Sequence, residues 1–223
     1  MSDEMDTSRP SCGHPDLLYS KGDMEAAIVH HDVTEPDVTE LGATEHAITV
    51  DEFERMVAAG AFDDRRVELI DGRLIDMPPP DPPHDGTISA FQYTLLERLD
   101  RRALARAQMA LRVAGTSVPV PDLAVVRWND DFYRYRRPRT DETFAIVEVS
   151  NTSLAFDRDV KCRIYGAARI PEYWIADVRN KRIHVHREPH DLGYGTEEIR
   201  ERDDTVSFAA FPDVVLSVAQ LVG

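Results

Sequence analysis

Apolar residues along this chain fall into two rhythms, and the switches between them mark its elements. In ITVDEFERMVAAG, Phe53, Met56 and Val57 recur at helical spacing behind Thr49, a good N-cap, and the run stops at Gly60. The rhythm shortens in VELIDGRLIDM, which reads as a β-hairpin turning at Asp71-Gly72. Prolines between 78 and 83 end the hairpin. Ile88, Phe91, Leu95 and Leu99 then share one face of a helix expected from about Asp85 to Ala107. MALRV and VPDLAVVRW read as strands, and DDFYRYRRPRT as a charged loop. TFAIVEVS reads as a buried strand, followed by a helix from about Asp157 to Ala168. IPEYWIADV and KRIHVHRE are two more strands, turning at Arg179-Asn180, and two short strands and an apolar segment, VVLSVAQLV, close the chain. The strand–helix–strand unit across 143 to 178 predicts an α/β or α+β domain with a mixed central sheet.

Charge divides the chain in two. Residues 1 to 46 carry eleven acidic residues against Arg9 and Lys21, with little apolar patterning, so they are expected to form a disordered acidic arm. The ordered domain is expected over 47–223. A net charge of −15 argues against generic nucleic-acid binding, although it leaves room for a local basic surface or for metal-dependent chemistry on nucleic acid. The arm suits a basic protein partner. There is no run of membrane-spanning length and no basic segment followed by an apolar core at the N-terminus, so a cytoplasmic protein without a membrane role is expected. Cys12 and Cys162 read as unpaired thiols rather than a disulfide framework.

The chemistry centres on one oddity. Glu148 sits among Ile146, Val147 and Val149, where an uncompensated carboxylate is very costly. Pro121-Asp122 opens another apolar strand; if the two strands are neighbours, Asp122 and Glu148 converge at one sheet edge. Two carboxylates plus a backbone carbonyl such as that of Val149 suit a hard divalent cation such as Mg²⁺. Lys161, one of three lysines, falls in the first turns of the next helix and faces the sheet with Ile164 and Tyr165. A lysine near a metal can orient or deprotonate water, which arginine cannot. Taken singly, each residue has an ordinary reading: strand entry for Asp122, an arginine partner for Glu148, a snorkelling surface position for Lys161.

VELIDGRLIDMPPP, a histidine opening a helix, VPDLAVV, VEVSNTSLAFDRDVKCRIYG and IPEYWIADV, in this order, resemble the Uma-two family of restriction-endonuclease-like proteins, over roughly residues 48 to 223. The resemblance implies a PD-(D/E)XK nuclease core, a central mixed β-sheet flanked by helices. It implies a DNA endonuclease, acting on double-stranded DNA with Mg²⁺, or Mn²⁺ as a substitute, and leaving 5′-phosphate ends. By that resemblance Asp122 and Glu148 are metal ligands, Lys161 is the catalytic lysine displaced from strand to helix past Ser150, and Glu68 is a further acidic site residue. The family's Ser-Pro-Ser-Thr-like run is Asn151-Thr152-Ser153-Leu154 here, a departure that bears on the loop. Enzymes cutting both strands often pair, so a homodimer fits. The competing reading is a nuclease-fold binding module with little or no turnover, acting through the acidic arm.

Other candidates carry less. His84 matches the family's histidine and suits a contact to substrate or to a carboxylate. Arg134, Arg136 and Arg137, interleaved with Tyr135, suit phosphate contact and base stacking, or else a solvated connection balanced by nearby acids. Asp157 is expected to cap the lysine-bearing helix. His184 and His186 share a strand face, but without a third spaced ligand they make a poor zinc site. Tyr173 and Trp174 are expected to pack in the sheet.

Overall fold

Thr49 starts the first helix, α1 (Val50–Ala58), through a capping box: its hydroxyl accepts from the Glu52 N–H, and the Glu52 carboxylate accepts from the Thr49 N–H. The chain is represented by a computed structural model describing residues 45–113 and 115–223. The acidic arm expected over 1–46 lies outside the described residues, save its last two. Strands β1 (Val67–Ile70) and β2 (Arg73–Asp76) form the expected hairpin, and Asp71 and Gly72 take φ of 49° and 77°. Two positive values in a row are what a two-residue hairpin turn matching the strand twist demands.

Helix α2 (Pro82–Leu99) is shorter than its periodicity suggested. Asp100 and Arg101 adopt left-handed φ of 38° and 62°, which ends the helix, and the next residues become edge strand β3 (Ala103–Ala107). MALRV forms no strand; Leu111 and Val113 are buried as loop residues, and the Leu111 N–H donates to the Pro119 carbonyl. The edge position those residues could have taken is filled by β3, whose alanines and arginine carry weak strand signals.

The main sheet has six strands in the order β3-β4-β5-β6-β7-β8, with β4 (Leu123–Arg127), β5 (Thr143–Ser150), β6 (Glu172–Asp177), β7 (Arg182–His190) and β8 (Gly193–Arg200). Only β5 and β6 run parallel; the other neighbours are antiparallel. Between β5 and β6 the chain crosses over through a helix in three parts: α3 (Leu154–Phe156), a π-helical turn (Asp157–Lys161) and α4 (Cys162–Ala167). The helix thus begins three residues earlier than expected, and Asp157 lies inside it rather than capping it. A small pair, β9 (Thr205–Val206) and β10 (Leu216–Ser217), precedes the C-terminal helix α5 (Val218–Val222).

Side-chain alternation gives the sheet two buried faces. Leu123, Val125, Ala145, Val147, Val149 and Trp174 pack with α2 and α5. Ala124, Val126, Ile146, Tyr173 and Ile175 pack with Ile164 and Tyr165 of α4. Trp174 stacks on Phe208 at 4.0 Å, so this tryptophan belongs to the core.

The height of α4 above the sheet is set by a glycine contact. A Cβ on Gly166 would lie 2.0 Å from the Gly193 carbonyl oxygen, whereas one on Gly86, exposed in α2, would meet nothing. Gly166→Ala is therefore expected to destabilise the protein by about 1–3 kcal/mol or more in urea unfolding. Gly86→Ala should stabilise it by up to about 1 kcal/mol. Equal midpoints for the two variants would contradict the close approach.

Candidate active site

Strand alternation on β5 sends Glu148 to the α4 face, while its neighbours Val147 and Val149 point into the opposite core against α2 and α5. The β4–β5 register pairs Leu123 with Val147, which sets Asp122 opposite Glu148. The two carboxylates are then held crosswise by backbone: the Asp122 N–H donates to Glu148 Oε2 at 3.2 Å, and the Val149 N–H to Asp122 Oδ2 at 2.9 Å. Lys161 comes down from the helix, its Nζ donating to Glu148 Oε1 at 3.0 Å and Glu68 Oε1 at 3.3 Å. Glu68, on β1, also accepts from the Val120 N–H at 3.0 Å, which ties the hairpin to the sheet edge. Glu68, Glu148 and Lys161 are 1%, 1% and 3% exposed.

Two tyrosines and a serine hold this centre, and sequence reasoning assigned them no site role. Tyr165 Oη donates to Glu148 Oε1 at 2.7 Å, and Tyr173 Oη to the Asp157 carbonyl at 3.0 Å. Ser153 Oγ donates to Asp157 Oδ2 at 2.6 Å. The signal for Tyr165 was present, since it follows Lys161 by four residues on one helical face. The π turn carried no signal: it widens the helix at the lysine, and such turns often occur at functional sites. Tyr173 packs in the sheet as expected and also braces that turn.

Four carboxylates and one lysine share the centre, and the charges do not balance. Burial would lower the Lys161 pKa, but the carboxylates of Glu148, Glu68, Asp157 and Asp122 outweigh it and keep the amine protonated. Burial raises the Glu148 pKa well above the usual range, and Asp122, Asp157 and Glu68 push the same way against Lys161. Asp157 is raised to about 6, again mainly by burial. Asp122 goes the other way: burial opposes ionisation, but the His84 hydrogen bond and charge, the Val149 N–H and Lys161 lower its pKa. His84 is raised in turn, first by its hydrogen bond to Asp122 at 3.1 Å.

A cleft of about 130 Å³ opens beside this centre, lined among others by Glu68, His84, Asp122, Glu148, Asp157 and Lys161. Two of its carboxylate oxygens are left open to a cation. Buried Glu68 Oε2 has no hydrogen-bond partner. Among the described residues, Asp122 Oδ1 accepts no hydrogen bond while Oδ2 is taken by Val149 and His84. Among the described residues no group of three or more His, Cys, Asp or Glu side chains is placed to hold a metal ion by itself. What is present is an open set of oxygens, the kind Mg²⁺ uses while keeping several waters.

The structure brings Glu68, His84, Asp122, Glu148 and Lys161 together. It does not bring Arg134, Arg136 or Arg137 to the cleft. Arg136 is locked to Glu142 by two bonds of 2.6 Å, and Arg137 to Glu54 at 2.7 Å. His184 and His186 are buried on β7, with His184 Nδ1 bonded to Glu197 at 2.7 Å.

Residues 50–219 match the model of the Uma2 family, described as "Putative restriction endonuclease", and the chain belongs to that family. It is also similar in fold to a crystal structure described as "a putative nuclease belonging to DUF820" from Anabaena variabilis ATCC 29413. That match has a TM-score of 0.62 at 20% identity and covers 78% of this chain and 97% of the other. None of the curated proteins compared with the chain matches it.

The raised Asp157 gives a signed pH dependence. Between pH 4 and pH 6 the folded chain holds a proton at Asp157 that the unfolded chain releases, so this residue's contribution to stability falls as pH rises through that window. In metal-free protein, Asp157→Asn should therefore be more stable than wild type at pH 7.5 by on the order of 2–3 kcal/mol, with the difference gone below about pH 4. A stability difference that does not change with pH would contradict the assignment.

Proposed function

We propose that the protein is a Mg²⁺-dependent endonuclease that hydrolyses phosphodiester bonds in DNA, with Mn²⁺ as a substitute cation. The observation that carries this reading is the convergence of Asp122, Glu148 and Lys161 in one cleft, with more negative charge than the lysine balances.

Asp122 and Glu148 would hold the cation, aided by the Val149 carbonyl. Bound there, it would lower the pKa of a water ligand and neutralise charge on the phosphate under in-line attack. The remaining roles belong to the chain itself. His84 anchors Asp122 Oδ2, which leaves Oδ1 for the cleft. Lys161 stays cationic and is aimed by two acceptors, so its remaining proton can orient the attacking water or a phosphate oxygen. Glu68 fixes the amine with Oε1 and keeps Oε2 free to accept a proton from that water. Tyr165 stops Glu148 from rotating away when the lysine shifts. Attack on phosphorus breaks the bond to the 3′ oxygen, giving 5′-phosphate and 3′-hydroxyl ends.

Duplex DNA is the proposed substrate and a homodimer the proposed cutting unit, since one such centre addresses one strand. Residues 47–223 form the catalytic domain in this reading, and the acidic arm over 1–46 engages a basic protein partner. Arg134 makes no side-chain ion pair among the described residues, so it can contact backbone directly. Arg136 and Arg137 would first have to leave Glu142 and Glu54.

Purified protein should nick or linearise plasmid DNA with Mg²⁺ or Mn²⁺ and not in chelator. Glu148→Gln, which keeps shape while removing charge, and Lys161→Met, which nearly keeps volume, should each lose at least about a hundredfold in rate. Circular dichroism checks that they fold. Undiminished cutting by either folded variant would sink the mechanism, whereas DNA binding without cutting by wild type would favour the non-catalytic module.

A further inference from the structure

A cleft rich in carboxylates repels the polyanion it is meant to cut, so cations must hold the strand at the cleft's lips. Most described arginines are already used. Arg102, Arg136, Arg163, Arg169 and Arg187, for example, each sit within hydrogen-bonding distance of a carboxylate. Two exposed arginines beside the cleft are different.

Arg66 precedes β1, two residues before Glu68. Its carbonyl accepts from the Met77 N–H, which continues the hairpin ladder, so Arg66 and Glu68 share a strand face. Arg66 lines the cleft with Met77 and Pro78. Among the described residues its side chain makes no hydrogen bond or ion pair.

Arg179 does not line the cleft itself but stands beside it on another element, the β6–β7 turn. The Val178 N–H donates to the Ser150 carbonyl at 3.0 Å, which docks that turn against the end of β5, next to Asn151. Asn151 bonds to Asp81, and both line the cleft. Arg179 lies in electrostatic range of Asp81, whose pKa is lowered by the His84 N–H, by Asn151 and, at longer range, by this arginine. Yet Arg179 makes no ion pair among the described residues. The reason is visible: Asp81 Oδ1 already accepts from the His84 N–H and Oδ2 from Asn151.

We propose that Arg66 and Arg179 are backbone clamps, one on each lip, that bind phosphates of the nucleic-acid strand flanking the one attacked. This rests on the nuclease reading and adds residues to the Arg134–Arg137 segment, where Arg136 and Arg137 are tied to Glu142 and Glu54. Arg66, by contrast, lines the cleft, and Arg179 lies in electrostatic range of Asp81 in its lining. Each clamp exchanges solvent counterions for a phosphate and carries no base preference.

The test is fluorescence anisotropy of the full chain with a short labelled duplex in Ca²⁺, across a salt series. Arg66→Ala and Arg179→Ala should each weaken binding several-fold and reduce the slope of log affinity against log salt by about 1. Arg66→Lys and Arg179→Lys should keep the slope, and Arg202→Ala, at an exposed pair with Asp203, should match wild type. Wild-type slopes in both alanine variants would overturn the clamps and leave the nuclease reading standing. Absence of DNA binding by wild type would overturn both.

Discussion

A protonated lysine held out of water between two glutamates is the contact on which the rest of this structure turns. Removing charges from water costs several kcal/mol per ion, and replacing such clusters by apolar groups is often neutral or stabilising. Stability alone therefore gives no reason to bury Lys161 with Glu148 and Glu68. The arrangement makes sense as chemistry: it fixes an amine and two carboxylates in one geometry, with the acids in excess. Each surrounding element serves that geometry. The β4–β5 register sets Asp122 across from Glu148, the hairpin brings in Glu68, and a π turn aims the lysine.

The excess charge is then the functional statement. Glu148 and Asp157 hold protons more tightly than ordinary acids because burial disfavours their charged forms, and the neighbouring carboxylates add to this against one lysine. A divalent cation would supply what is missing and release those protons, so metal affinity and proton loss are linked. Rigidity supports this. Tyr165, Tyr173 and Ser153 restrain the glutamate and the π turn, and the Gly166–Gly193 approach keeps α4 close enough for the lysine to reach.

Much of the fold was legible because local chemistry and burial agreed. Thr49 capped its helix, Asp71-Gly72 turned its hairpin, and the apolar runs of β4, β5 and β6 became central strands. Misreadings came where local signals were weak or overridden. Helical spacing through Leu99 hid the left-handed residues that end α2, and the alanine-rich β3 looked like helix. Asp157 resembled a cap because acids favour helix starts, but the helix starts at Leu154 and buries it. For the site, Glu148 announced itself as a charge in an apolar strand. The proximity of Glu68, Asp122 and Lys161 was reached through resemblance and an assumed strand pairing, because long-range register is not written locally. Tyr165, Arg66 and Arg179 were given no site role, since a tyrosine or an exposed arginine is unremarkable until its neighbours are known.

The most direct measurement is anomalous diffraction from crystals soaked in Mn²⁺. The expected result is a single strong peak in the cleft, bonded to Asp122 and Glu148, and absent from Glu148→Gln crystals of the same form. No peak in the cleft at saturating Mn²⁺, or a peak that persists unchanged without the Glu148 carboxylate, would contradict the claim that the buried glutamate and lysine are two halves of one metal-dependent site.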